Sequence, residues 1–302
     1  MIDLLLLGTS GMMPLPGRWL SSLLVRSGGD LILFDCGEGT QIPMQQFGWG
    51  FRRVGAICLS HWHADHVAGL PGLLHTIANS GRTETIKIYG PVETARVVRG
   101  LREIAPQLPY EVEVIELHGG EAFELTGSLR CAAIPGFHHV PSLIYRIDLA
   151  RARQFLVSRA ETLGVPRQRW HDLQSGNPIT VDGRTIEPAD VLGPPRTGVS
   201  FGLMTDTRPV PEASAFLRNV DLLVSEGTYG DSALQAKAIA NRHLTFAEAA
   251  TIAKDAAAGT LWLTHFSPSI ANPEEFRSFA TDIFSAVEIG FSGLTASLRF
   301  RD

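Results

Sequence analysis

Apolar residues along this chain come in short runs cut by Gly, Pro, Asn and Asp. The runs are Ile2–Leu7, Ser22–Val25, Leu31–Phe34, Val54–Leu59, Thr85–Tyr89, Leu129–Ile134, Ser200–Met204, Asp221–Val224 and Thr260–Thr264. Several are apolar at every position, the pattern of strands covered on both faces. Helical periodicity follows some of them, over Val67–Ala78 and over Phe246–Ala258. Thr245 and Glu248 are spaced as a capping box for the second helix, and Gly259 stands just past its end. Alternation of this kind predicts α/β layers instead of a bundle or an all-β sandwich. One stretch, residues 148–197, breaks the rhythm: it is rich in Arg and Pro and has no convincing buried strand. It reads as an insertion protruding from the core between two strands, or as a long connection lying on the surface.

Composition bounds the rest. With 302 residues, 44% of them hydrophobic, the chain can bury the core of one large layered domain, 1–302. A formal net charge of −5 excludes a globally basic nucleic-acid binder but not a local basic patch. Such a patch is suggested within residues 146–184, where seven arginines face four acids. Cys36, Cys58 and Cys131 are odd in number and sit in apolar runs, as buried thiols of a reducing compartment do. Leu4–Leu7 is too short for a signal peptide or membrane span. The cytoplasm is therefore the expected location, with no membrane partner.

Candidate chemistry stands at the strand ends. Val54–Leu59 leads into His61, His63, Asp65 and His66; Leu129–Ile134 into His138 and His139; Ser200–Met204 into Asp206; Leu261–Leu263 into His265. Sites in layered α/β proteins gather beyond the carboxyl ends of strands, so these residues can converge although the chain separates them. Imidazoles with carboxylates suit zinc, and manganese or iron are tolerated. His61 and His63, two apart in extended backbone, point to one side and can share an ion. Asp65 and His66, past the turn, can serve a second, and a carboxylate such as Asp206 can bridge both. Either His138 or His139 can complete the set, His138 being preferred.

Outside the ligand set, Glu226 ends the strand Asp221–Val224, and His243 precedes the capped helix. If they meet, a carboxylate orients an imidazole into a proton donor for a leaving alkoxide; otherwise each has a separate structural job. Asp35 suits either orienting a metal-bound histidine or capping a turn. His75, His118 and His171 have no partner pattern and read as surface or packing groups.

These residues resemble ribonuclease Z, the endonuclease that trims the 3′ end of precursor tRNA, within the metallo-β-lactamase superfamily. The likeness runs through Leu7-Gly8-Thr9-Ser10-Gly11, Phe34-Asp35-Cys36-Gly37-Glu38-Gly39-Thr40-Gln41 and Ser60-His61-Trp62-His63-Ala64-Asp65-His66. It continues in Gly69-Leu70-Pro71-Gly72-Leu73-Leu74, Tyr89-Gly90-Pro91, Asp206-Thr207-Arg208 and Thr264-His265. The resemblance implies a four-layer αββα sandwich with an inserted protruding arm at 148–197 that grips tRNA. It also implies two zinc ions per chain, with His61, His63 and His138 on one, Asp65, His66 and His265 on the other, and Asp206 bridging. Asp65, His243 and Glu226 are the implied catalytic residues. Ser10, Arg18, Arg167 and Arg169 are the candidates for substrate binding. A homodimer acting on precursor tRNA, and not on DNA, is expected.

The sequence also departs from the family. The first loop, Pro14-Leu15-Pro16-Gly17-Arg18-Trp19, keeps Arg18 but lacks the family's lysine and asparagine. The arm reads Pro166-Arg167-Gln168-Arg169-Trp170-His171 without the lysine-rich pattern, and Glu288-Ile289-Gly290-Phe291 replaces Ala-x-Asp-Phe. The expected function is a zinc-dependent phosphodiesterase that removes the 3′ trailer of precursor tRNA by a two-metal hydroxide mechanism. The alternative is a hydrolase of the same fold acting on a small phosphodiester, an arylsulfate or another ester. A non-catalytic metal-stabilised binding module is a third class. A diiron oxygen or nitric-oxide reductase would carry a glutamate within the histidine motif and a flavin domain, and neither is present.

Overall fold

The structure, a computed structural model, describes residues 1–301. The strands in chain order are β1 (Ile2–Gly8), β2 (Ser22–Ser27), β3 (Asp30–Phe34), β4 (Val54–Cys58), β5 (Ile86–Pro91) and β6 (Val112–Leu117). There follow β7 (Ala122–Thr126), β8 (Leu129–Pro135), β9 (Leu143–Arg151), β10 (Ile179–Val181), β11 (Arg184–Ile186) and β12 (Arg196–Met204). The last are β13 (Leu222–Glu226), β14 (Thr260–Thr264), β15 (Val287–Ile289) and β16 (Thr295–Leu298). Two seven-stranded sheets result, ordered β16-β1-β2-β3-β4-β5-β6 and β15-β14-β13-β12-β9-β8-β7, and β10 pairs with β11 alone.

The sheets face each other. Phe34 of β3 meets Tyr145 of β9 and Phe201 of β12 edge-on, with ring centroids 5.9 and 5.7 Å apart. The outer face of the first sheet packs on helix Leu70–Asn79 through Leu73, Leu74 and Ile77. That of the second packs on helix Phe246–Asp255 through Phe246, Ala249, Ala250 and Ala253. The layers are therefore αββα, and with both faces of each sheet covered, β1 is buried at all seven positions.

Contact clustering divides the chain into two units, the first formed by Met1–Leu149 and Val199–Arg299. The second, Ala150–Gly198 with residues beyond 299, has its own small core of Ala160, Val165, Leu173, Ile179, Ile186, Val191 and Leu192. Trp170 belongs to that core: its Nε1 donates to Val165 O at 3.1 Å and its ring packs 5.2 Å from Phe155.

Two local expectations are corrected. The helix expected over Val67–Ala78 is two, Ala64–Val67 and Leu70–Asn79. Gly69 stands between them, where a Cβ would lie 2.1 Å from Gly37 O; its N–H donates to Cys36 O. The histidine motif is thereby clamped to the end of β3. The capped helix starts at Phe246 with the capping box in place but ends at Asp255. Ala257, not Gly259, takes the left-handed turn (φ 50°), while Gly259 packs against the Asp221 carbonyl.

Candidate metal centre

The first sheet delivers His61 and His63 just after β4, and helix Ala64–Val67 then presents Asp65 and His66. His138 follows β8, Asp206 follows β12 and His265 follows β14. All seven meet at one end of the sandwich, and two of the groups there that could hold metal ions are His61, His63, His138 and Asp206, and Asp65, His66 and His265; Asp206, His243 and His265 form a third. Within the first, His61 Nε2 and His138 Nε2 lie 3.1 and 3.2 Å from His63 Nδ1. Within the second, His265 Nε2 lies 3.1 Å from His66 Nε2 and 3.4 Å from Asp65 Oδ2. Asp206 reaches both: Oδ2 is 3.5 Å from His61 Nε2, and Oδ1 is 3.1 Å from His265 Nε2. His138 is buried against this cluster while His139 is exposed, so geometry favours His138.

The outer Nδ1 of four of the five rings has a partner that favours its carrying the proton. Ser60 Oγ donates to Asp35 Oδ2 at 2.8 Å and so accepts from His61 Nδ1 at 3.1 Å. Asp35 Oδ2 also accepts from His66 Nδ1 at 2.8 Å, so Asp35 orients histidines. His138 Nδ1 donates to the Arg242 carbonyl at 3.0 Å. Thr228 Oγ1, which donates to Glu226, accepts from His265 Nδ1 at 3.1 Å. Four Nε2 lone pairs thus converge on two carboxylates. Asp206 Oδ1 is buried and accepts no hydrogen bond. Lone pairs packed this closely repel unless a cation lies among them. Burial opposes charge on His66, yet Asp206, Asp35 and Asp65 hold its pKa well above the usual value. The same field would favour a bound cation. Burial also pushes His138 down to about 4, which keeps its ring neutral as a metal ligand must be. The donor set therefore fits metal cations.

Strained backbone aims several of these groups. Asp35, Asp206 and His265 have φ of 57°, 44° and 57°, and Arg242 of 55°, all left-handed. A Cβ at Gly11 would lie 2.6 Å from His265 Cε1, so only glycine lets the first loop pass over that ring. The same loop is tied to the site by the Met12 amide, which donates to Asp65 Oδ2 at 2.7 Å.

His243 and Glu226 do meet. His243 Nδ1 lies 3.1 Å from Glu226 Oε2 and 3.9 Å from Asp206 Oδ2. Glu226 is fully buried and also accepts from the amides of Thr207 (2.7 Å) and Leu244 (3.1 Å). Burial works against a charged His243, but Glu226 and Asp206 outweigh it and raise its pKa to about 9.

Arg208 lies in the Asp206-Thr207-Arg208 motif, whose local pattern gives it no role of its own. Its guanidinium grips the His243 carbonyl and forms a two-pronged pair with Glu248, which itself caps the helix after His243. Replacing Arg208 with Met should leave metal content intact and slow turnover about 100-fold, the scale of a misplaced catalytic group. Metal analysis beside single-turnover rates checks this, and lost metal would mean a broader structural role.

The expected substrate-binding residues are scattered. Ser10 is buried with its Oγ donating to Met13 O at 2.8 Å. Arg18 donates to Ile270 O at 2.8 Å and to Ser267 O at 3.4 Å, holding the loop that follows His265. Arg167 and Arg169 are exposed on the second unit, beside Glu161 (3.7 Å) and Asp172 (2.6 Å). Arg153 donates inward to the carbonyls of Gly193 and Leu192. Exposed arginines there include Arg159, Arg167, Arg169, Arg184 and Arg196. His75, His118 and His171 are exposed, and the three cysteines are buried and unbridged. Among the described residues no helix is long and apolar enough to cross a membrane.

Two facing sheets with this donor set at one end define a protein of the metallo-β-lactamase superfamily, and the model of that family matches residues 20–149. Human tRNase Z, short form, has the same fold, with a TM-score of 0.71 at 24% identity over 99% of this chain and 100% of that one. Ribonuclease Z of Lachnospira eligens is 43% identical over 100% of this chain and 99% of its own length. That of Clostridium kluyveri is 43% identical over 100% of both. The chain belongs to the ribonuclease Z family.

Proposed function

We propose that the protein is a metal-dependent endoribonuclease that removes the 3′ trailer of precursor tRNA, cutting after the discriminator base to leave a 3′-hydroxyl. The observation that carries this reading is His243, backed by Glu226, standing 3.9 Å from the carboxylate common to the two ligand groups. Small esters with acidic leaving groups need no proton donor there; a departing ribose 3′ oxygen does. Two zinc ions would be held by His61, His63, His138, Asp65, His66, His265 and Asp206, and would supply charge stabilisation and Lewis acidity. Imidazole and carboxylate ligation together suit zinc, with manganese or iron as substitutes. Asp65 holds the first loop through the Met12 amide while facing His265. His243 keeps Nδ1 on Glu226, so the transferable proton belongs on Nε2. We further read the chain as a cytoplasmic homodimer acting on RNA and not on DNA. Incubating it with a panel of precursor tRNAs beside a chromogenic phosphodiester tests the substrate. Hydrolysis of the small ester alone would replace tRNA processing with the small-ester reading.

The second unit is the part we assign to tRNA binding, on the strength of its exposed arginines. Arg167 and Arg169 make surface ion pairs, worth about 0–1 kcal/mol, which phosphates can displace, and Arg167 also lies over the Trp170 ring. Its small core reaches Val191 and Leu192, so a clean deletion must take all of it. β9 and β12 are neighbours in the sheet, so replacing residues 152–195 by a short Gly-Ser bridge can rejoin them. The deleted protein should keep its metals and small-ester hydrolysis, while KM for precursor tRNA rises and the salt dependence flattens. Unchanged tRNA cleavage would remove the second unit from substrate binding.

A further inference from the structure

Phe137 is 53% exposed, although it directly precedes the buried His138. Its backbone is nonetheless pinned on both sides: the N–H donates to Thr207 Oγ1 at 2.8 Å, and the carbonyl accepts from the Arg208 amide at 3.0 Å. A ring held outward on fixed backbone is not a packing residue, since packing would bury it. Over one face of the ring lies the Arg242 guanidinium, 4.8 Å from the centroid. Arg242 is itself fastened, its guanidinium to the His138 carbonyl and its own carbonyl to His138 Nδ1. The pair therefore adjoins a candidate metal ligand on one side and the proton donor His243 on the other.

We propose that Phe137 and Arg242 form a stacking seat for the nucleobase of the nucleotide whose 3′ oxygen departs. This rests on the reading of the protein as an RNA-cutting enzyme. The argument is positional: His243 delivers its proton to that oxygen, so the nucleotide carrying it must lie on the His243 side of the centre. Phe137 and Arg242 are the aromatic and planar cationic surfaces at that side. Every base has a π-face, so such a seat binds without demanding a particular base. The guanidinium also strengthens the ring's stacking and retains N–H donors for an adjacent phosphate. One base–aromatic stack changes affinity by roughly 5- to 150-fold.

The test uses the metal-loaded enzyme and a precursor tRNA that is either intact or abasic at the nucleotide before the cut. Parent, Phe137→Ala and Phe137→Trp are compared by KM and kcat, with metal content and thermal unfolding alongside. For the parent, the abasic change should raise KM about tenfold. Phe137→Ala should raise KM for the intact substrate by a similar factor and show almost no further penalty on the abasic one. Phe137→Trp should restore the parent pattern. A parent that cuts both substrates equally overturns the seat and leaves tRNA processing standing, as does an abasic penalty that persists undiminished in Phe137→Ala. Should Phe137→Ala lose metal, the parent's abasic comparison and Phe137→Trp decide. A parent that cuts neither precursor overturns the tRNA reading and the seat with it.

Discussion

Replacing Asp206 with Asn should strip metal from both halves of the centre and lower RNA cleavage by at least about a thousandfold. Asp206 is the one side chain whose two oxygens face both ligand groups, at 3.5 Å from His61 Nε2 and 3.1 Å from His265 Nε2. Losing its charge removes an attraction common to both cations, and the charge stabilisation they supply is worth several kcal/mol, about 4 kcal/mol per thousandfold in rate. Asn is preferable to Ala because the residue has φ 44°, where Asn is at ease and Ala is strained. The variant also separates metal binding from folding. Zinc should raise the parent's unfolding temperature and barely move the variant's, since ligand binding to the native state adds stability in proportion to its affinity. Metal analysis and thermal unfolding with and without zinc check this. Two ions still bound to an active Asn variant would rule out the shared carboxylate.

Replacing His243 with Ala should leave metal content unchanged and slow precursor tRNA cleavage by roughly 100- to 10,000-fold, the range of general acid catalysis. The loss should be much smaller for a nitrophenyl phosphodiester, whose leaving group departs without a proton. The pH profile carries the same signature. Because Glu226 and Asp206, against burial, raise the His243 pKa to about 9, the ring keeps its proton at neutral pH and loses it as pH rises. RNA cleavage by the parent should therefore fall on the alkaline side, at or below pH 9 since bound cations offset part of the Asp206 charge. The Ala variant should lack that limb. Equal losses on both substrates would assign His243 another role. Glu226 is a poorer probe, because its buried carboxylate also accepts from the Thr207 and Leu244 amides and the Thr228 hydroxyl. Turning one oxygen into an NH2 would set donor against donor around the whole loop.

The chain's local patterns already contained the layers and most of the candidate ligand set. Strands buried on both faces show as unbroken apolar runs, and β1, β3, β4, β13 and β14 were readable for that reason. Strands β6, β7 and β16 were not, because they are edges: half-exposed positions tolerate Glu and Thr, so the alternation blurs. The dense group His61–His66 was legible because its spacing is short enough for local geometry to act. His138, Asp206 and His265 could be suspected only from standing after apolar runs.

What tertiary structure alone decided is everything that depends on two distant segments meeting. The choice of His138 over its neighbour follows from where the end of β8 comes to rest. Asp35 proves to serve two histidines because β3 and β4 lie side by side. The role of Arg208 is not written in the motif Asp206-Thr207-Arg208, since its partners, Glu248 and the His243 carbonyl, are 40 and 35 residues away. The arginines of residues 148–197 divide into inward and outward groups only once their small core has formed. Periodicity reports burial, which each segment carries in its own residues; pairing is set by packing between segments, and no stretch of sequence holds it alone.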